Sequence, residues 1–121
     1  MARVLVTPQT TPGAYPALQP GAGSLTITFQ ACDPSLLNYA PLVNGKTYLL
    51  AQNTDSGPHT VTITSVADAP FNRTGDITAY SVAAGVVAQF GPFATAGWSN
   101  GGQLWFAGND ATIKFAVITL P

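Results

Sequence analysis

From Ser24 the chain alternates with a period of two residues. Leu25, Ile27 and Phe29 fall on one side and Thr26, Thr28 and Gln30 on the other, the pattern of a half-buried strand. The alternation returns over His59–Ser65, with Val61, Ile63 and Ser65 on one face and Thr60, Thr62 and Thr64 on the opposite one. Lys46–Asn53, Ile77–Val82, Val86–Phe93, Gln103–Ala107 and Ile113–Leu120 are β-branched or aromatic runs bounded by Gly, Pro, Asn or Asp. With Arg3–Val6 as an edge strand the count is about eight. Asn44-Gly45 accepts the positive φ of a tight turn ahead of the strand from Lys46. Thr54-Asp55-Ser56-Gly57-Pro58 then turns the chain, so the strands on either side are expected to pair as a hairpin. Gly108-Asn109-Asp110 supplies the turn into the last strand. Helical periodicity is confined to one turn around Pro34–Tyr39. Short strands with no connection able to hold a crossover helix imply an all-β, single-domain antiparallel β-sandwich or jelly roll, or a small closed barrel.

The segment Thr7–Gly23 has a different character, since Pro8, Pro12, Pro16 and Pro20 recur at every fourth position. Each proline fixes its φ and restricts the residue before it, so helix is excluded and extended backbone favoured. A stretch of this length reaches about 50 Å in polyproline-II form. The expected organisation is a Pro-rich N-terminal arm over residues 1–23 and a β-sandwich domain over residues 24–121. Laid along a neighbouring subunit, the arm would use Tyr15 and Leu18 as anchors beside Pro8, Pro12, Pro16 and Pro20. Deleting residues 1–23 is then expected to leave the domain folded.

Composition narrows the partners. The chain has 121 residues, 46% hydrophobic and 7% charged, with four Lys plus Arg against five Asp and a net charge of -1. That balance gives no electrostatic reason to approach nucleic acid or anionic lipid, and no stretch is long enough for a membrane helix. A soluble monomer ordinarily carries about a quarter charged residues. A surface wetted by Thr, Ser, Asn, Gln and Gly loses less on dehydration and suits burial against other protein. Cys32 is the sole cysteine, so an intrachain disulfide and a multi-cysteine metal site are excluded. The apolar run after Met1 ends at Thr7-Pro8, short of a signal peptide, which implies synthesis in a cytoplasm.

Candidate chemistry is sparse. His59, the sole histidine, lies in Gly57-Pro58-His59-Thr60-Val61-Thr62, which resembles the first histidine-bearing strand of cupredoxins. No Cys or His follows it, so the copper ligand set is incomplete. No nucleophile elbow accompanies His59, and nothing in the sequence sets Ser56, Ser65 or Cys32 against it. Asp33, Asp55, Asp68, Asp76 and Asp110 all fall in turns or at strand ends, where Asp caps backbone groups. Phosphate loops, dinucleotide fingerprints and calcium loops are missing, so neither cofactor nor metal is expected. Trp98, Trp105, Tyr48 and Tyr80 would form a sugar-stacking platform if they converged, and Trp98, in a Gly/Ser/Asn loop, is the expected exposed aromatic contact.

Asn44-Gly45-Lys46-Thr47-Tyr48, the segment Gly57–Ser65, the block Arg73-Thr74-Gly75-Asp76-Ile77-Thr78-Ala79-Tyr80, and Gly91-Pro92-Phe93 with Gly97-Trp98 together resemble small β-rich structural proteins of tailed bacteriophages. The resemblance covers about residues 42–121 and leaves the proline segment out. It implies an auxiliary head protein, non-enzymatic, that decorates or cements the outer surface of a capsid. Its partner would be the major capsid protein, its form a trimer with an arm reaching onto the shell, and its location the virion. The class carries no catalytic residue to transfer. A carbohydrate-binding module on a phage or cell surface is the alternative.

Overall fold

The computed structural model describes residues 3–12, 26–67 and 74–120. The chain is all-β: β1 (Val4–Leu5), β2 (Pro8–Thr10), β3 (Gln30–Ala31), β4 (Asn38–Pro41), β5 (Thr47–Asn53), β6 (His59–Thr64), β7 (Ile77–Val82), β8 (Val87–Phe93), β9 (Gln103–Gly108) and β10 (Ile113–Thr119). Between β8 and β9, Thr95–Trp98 is a tight turn closed by the Ser99 N–H on the Thr95 carbonyl, with Gly97 at a φ of 88°. Sheet A has the order β1-β4-β9-β6-β7 and sheet B the order β2-β10-β5-β8, with β3 also on β10. Alternate residues of both sheets meet in a single core, an arrangement consistent with a β-sandwich. Leu49, Ala51, Phe115 and Val117 come from sheet B and Val61, Ile63, Leu104 and Phe106 from sheet A. The fully buried rings of Phe106 and Phe115 meet edge to face across it, centroids 4.7 Å apart.

Four expectations need correction. The strands on either side of Thr54–Pro58 do not form a hairpin: β5 pairs with β10 and β8, whereas β6 pairs with β7 and β9. Alternation tells which side of a strand is buried and not which strand lies beside it, and both β5 and β6 present one apolar side to the same core. From β4 onward the chain changes sheet at every connection except β6–β7. The sheets are also mixed and not purely antiparallel, because β1 joins β4 and β2 joins β10 in parallel. Third, the alternation at 25–30 yields a strand only at Gln30–Ala31. Leu25 lies outside the described residues. Over 26–29 the backbone is served by a side chain: Gln9 Nε2 donates to the Thr28 carbonyl at 2.7 Å, and the Thr28 N–H donates to Gln9 Oε1 at 2.9 Å. The helical turn expected around Pro34–Tyr39 is a shorter turn, with Asp33 Oδ1 accepting the N–H groups of Ser35 and Leu36. Leu37 then takes a φ of 67° before β4 begins.

Within residues 3–12, Val4–Leu5 and Pro8–Thr10 are strands of this chain's own sheets. β1 closes the edge of sheet A and, two residues later, β2 lines the edge of sheet B. Val6 between them is 2% exposed. Arg3 donates to the carbonyl oxygens of Asn38 and Phe106 and stands over the Trp105 ring at 4.3 Å. Tyr15, Pro16, Leu18 and Pro20 lie outside the described residues, as does most of the expected arm.

Buried polar side chains tie the ends of the sheets. Asn53 donates to the carbonyls of Gly57 and Val82, both at 2.8 Å, and its Oδ1 accepts the Asp55 N–H at 2.9 Å. Asn38 accepts the Asp33 N–H and donates to the Val4 carbonyl. Such groups are tolerated in a core because their hydrogen-bonding capacity is met.

Candidate functional site

Strand alternation determines what sheet B shows on the side away from the core. Ile118 stands opposite Tyr48, Ala116 opposite Leu50, and Leu50 opposite Gln89. Further along, Lys114 stands opposite Gln52, and Gln52 opposite Val87. Among the described residues this outer side is apolar and amide-bearing along its middle, where Ala116 and Ile118 are buried, and it carries Lys114 towards one end. Tyr48, Leu50, Ile118 and Leu120 line a groove of about 290 Å³ on it, completed by Thr11, Ile27 and Gln89, none of them ionic. Ile27 in the groove wall and Val87 on the edge strand β8, at 44% and 48% exposure, leave apolar surface open to solvent. An outward face of a small domain that carries this much aliphatic surface is suited to contact with another protein.

The opposite face, on sheet A, carries the expected threonine row. Val61 and Ile63 are fully buried and Ser65 nearly so, while Thr60, Thr62 and Thr64 face out. Thr64 stands opposite Trp105, which stands opposite Tyr39.

The four aromatic residues considered for sugar stacking are dispersed. Tyr48 is on the outer face of sheet B, and Trp105 on that of sheet A beneath Arg3. Tyr80 lies at the β7 edge, edge-on to Phe90 at 5.3 Å. Trp98 is half-buried, packed against the core with its ring edge-on to Phe93 at 5.1 Å. Pro8 is a β2 residue opposite Val117 of β10, and Pro12 follows the end of β2.

Sequence reasoning missed one interaction in the turn after β5. His59 Nε2 lies 2.7 Å from Asp55 Oδ2. That bond is the main cause that raises the imidazole pKa and lowers that of the carboxyl. The four-residue separation across a Gly-Pro turn was a readable signal. No group of three metal-ligating side chains occurs among the described residues. Cys32 is buried, its Sγ donating to the Asp110 carbonyl at 3.0 Å, and burial pushes the thiol pKa up to about 11. At pH 8 about one such thiol in a thousand is ionised. A thiol reagent should therefore label Cys32 at least about 100-fold more slowly in the folded protein than in urea. Labelling rates measured in the two states check this, and equal rates would mean an accessible thiolate.

At the neck of the β6–β7 connection, Asp76 Oδ1 accepts both the N–H and the hydroxyl of Ser65, at 2.8 and 2.6 Å, which lowers the carboxyl pKa. This is the capping role expected of turn aspartates, as is Asp110 accepting from Thr112.

No family model, no curated protein and no solved structure matches this chain.

Proposed function

We propose that this protein is a non-enzymatic structural component of a virion that lays the outer face of sheet B against a phage capsid and cements it. The observation that carries the reading is the uncharged groove of Tyr48, Leu50, Ile118 and Leu120 on an outward sheet face, in a chain of 7% charged residues. The resemblance of residues 42–121 to small β-rich phage structural proteins supplies the identity of the partner, the major capsid protein. In this reading the subunits act as trimers, and the segment bearing Pro8, Pro12, Tyr15, Pro16, Leu18 and Pro20 adds contact beside the face. The mechanism is binding energy: a ligand that prefers the assembled shell stabilises it by linkage, and repeated sites multiply the effect.

The test is cosedimentation with purified, expanded empty heads of the phage whose genome encodes the chain. Leu50→Lys places an unpaired charge in the contact and should weaken attachment by about tenfold or more, since burying such a charge costs heavily. Thr62→Lys, on the opposite sheet, should leave attachment unchanged. Saturable binding lost on Leu50→Lys supports the reading. Absence of wild-type binding at micromolar concentration, or equal binding by both variants, rejects it.

A further inference from the structure

A sheet edge presents backbone N–H and C=O groups that another extended strand pairs in full. The chain covers one edge of each sheet itself, with β1 on sheet A and β2 on sheet B. On the other side of the sandwich the terminal strands are β7 and β8, and among the described residues nothing pairs with their outer edges. The two edges are neighbours, since the Tyr80 ring of β7 meets the Phe90 ring of β8 edge-on at 5.3 Å. Tyr80, Val86 and Val87 are three of the six large hydrophobic residues left exposed among the described residues. From Ile77 to Asn109 the sequence has no Lys, Arg, His, Asp or Glu. The charges that ordinarily keep an edge strand from pairing with its like are therefore missing from both edges.

The two edges are not equally fit to pair. β7 is bent at Ala79, which has a φ of 51°, and its register on β6 shifts between Val61 and Ile63. β8 is regular from Val87 to Phe90, opposite Gln52 to Leu49. The Asn53 N–H donates to the Val86 carbonyl, so by the alternation of an antiparallel ladder Ala88 and Phe90 turn their N–H and C=O groups to β5. Val87 and Gln89 turn theirs outward. Pro92, which has no N–H, ends the stretch.

We propose that the β8 edge is a self-association site, on which Val87–Phe90 pairs antiparallel with the same strand of a second copy across a two-fold axis. A strand and its own copy in antiparallel order are complementary, because each outward N–H meets a carbonyl. With no ionic side chain on β8, the two copies meet without like-charge repulsion. The far edges do not serve as well. β1 and β2 lie on the opposite side of the sandwich, so joining β8 to either would run on as an open filament, whereas β8 on β8 closes. Pairing also brings the exposed Val87 of each copy beside the other's β8. The two B sheets become one, and their outer faces become continuous. This inference does not rest on the capsid reading. A copy with a two-fold neighbour at β8 keeps its remaining surface for the three-fold contacts of a trimer.

The experiment measures mass by sedimentation and residue-resolved amide hydrogen exchange on the full chain alone, from micromolar to millimolar concentration. The copies should associate in even number. Protection of the Val87 and Gln89 amides should rise about tenfold or more across that range as the pair fills, while Ala88 and Phe90, bonded to β5 in either state, stay constant. Val87→Lys puts a cation of each copy at the shared edge and should weaken association by about tenfold or more, with thermal melting followed by circular dichroism unchanged. Leu50→Lys, one strand in from the edge, should leave association unchanged while weakening capsid attachment, so the two readings fail separately. Exchange at Val87 and Gln89 that ignores concentration, association in odd numbers only, or full association by Val87→Lys overturns the proposal.

Discussion

Replacing Phe115 with alanine should lower the unfolding free energy by about 3–5 kcal/mol, measured by urea denaturation. Phe115 is fully buried at the centre of β10 and meets the Phe106 ring edge to face at 4.7 Å. β10 is flanked by β5 on one side and by β2 and β3 on the other, so the backbone around the ring is held and the cavity cannot collapse freely. A domain of this size has a total stability of about 5–15 kcal/mol, so the loss is a large fraction of it and should lower Tm by roughly 10–20 °C. Phe115→Leu leaves a smaller void and should cost about 1–2 kcal/mol. A Phe115→Ala loss below about 1 kcal/mol would mean that the two sheets do not share this core.

Removing residues 1–12 should abolish the cooperative transition or lower stability by at least about 4 kcal/mol. Val6 is a core residue, and the N–H groups of Val4, Val6 and Thr11 donate to Leu37, Tyr39 and Thr119. The truncation exposes that apolar site, strips the partner from the Asn38 amide, withdraws Arg3 from Trp105 and uncovers edges of both sheets. Circular dichroism melting and light scattering read the outcome; unfolding indistinguishable from the full chain would refute the N-terminal strands. The attachment role of Tyr15, Pro16, Leu18 and Pro20 therefore needs a different variant from deletion of 1–23. Replacing 13–23 with a Gly/Ser linker of equal length keeps every contact named above, so a change in capsid binding would report on that segment and not on the fold.

The local pattern was read well where one side of a strand is apolar and the other is threonine or glutamine. β5, β6, β7, β8, β9 and β10 all fall where alternation and bounding turn residues placed them, within a residue or two at each end. Asn44-Gly45 forms its turn, with Gly45 at φ 70° and the Lys46 N–H on the Val43 carbonyl. The candidate site was half legible. Thr60, Thr62 and Thr64 were placed outward, but the apolar outer face of sheet B was not foreseen. A strand such as β10, with Ala116 and Ile118 alternating with Phe115 and Val117, is apolar on both sides, and alternation then gives no signal. The Asp55–His59 pair was signalled by its four-residue spacing across the turn, whereas the Arg3–Trp105 contact joins residues too far apart in the chain for any local rule.

What the amino-acid order determined by itself was the backbone state of each segment. Extended runs, glycine turns and the low charge all follow from φ restriction, side-chain branching and solvation, which act within a few residues. Tertiary structure alone decided that the chain changes sheet at most turns, that residues 4–10 complete both sheet edges, and that one outward face is aliphatic. Pairing is chosen by which strand's free N–H and C=O groups are within reach once the core has formed, and that competition is settled between residues distant in sequence.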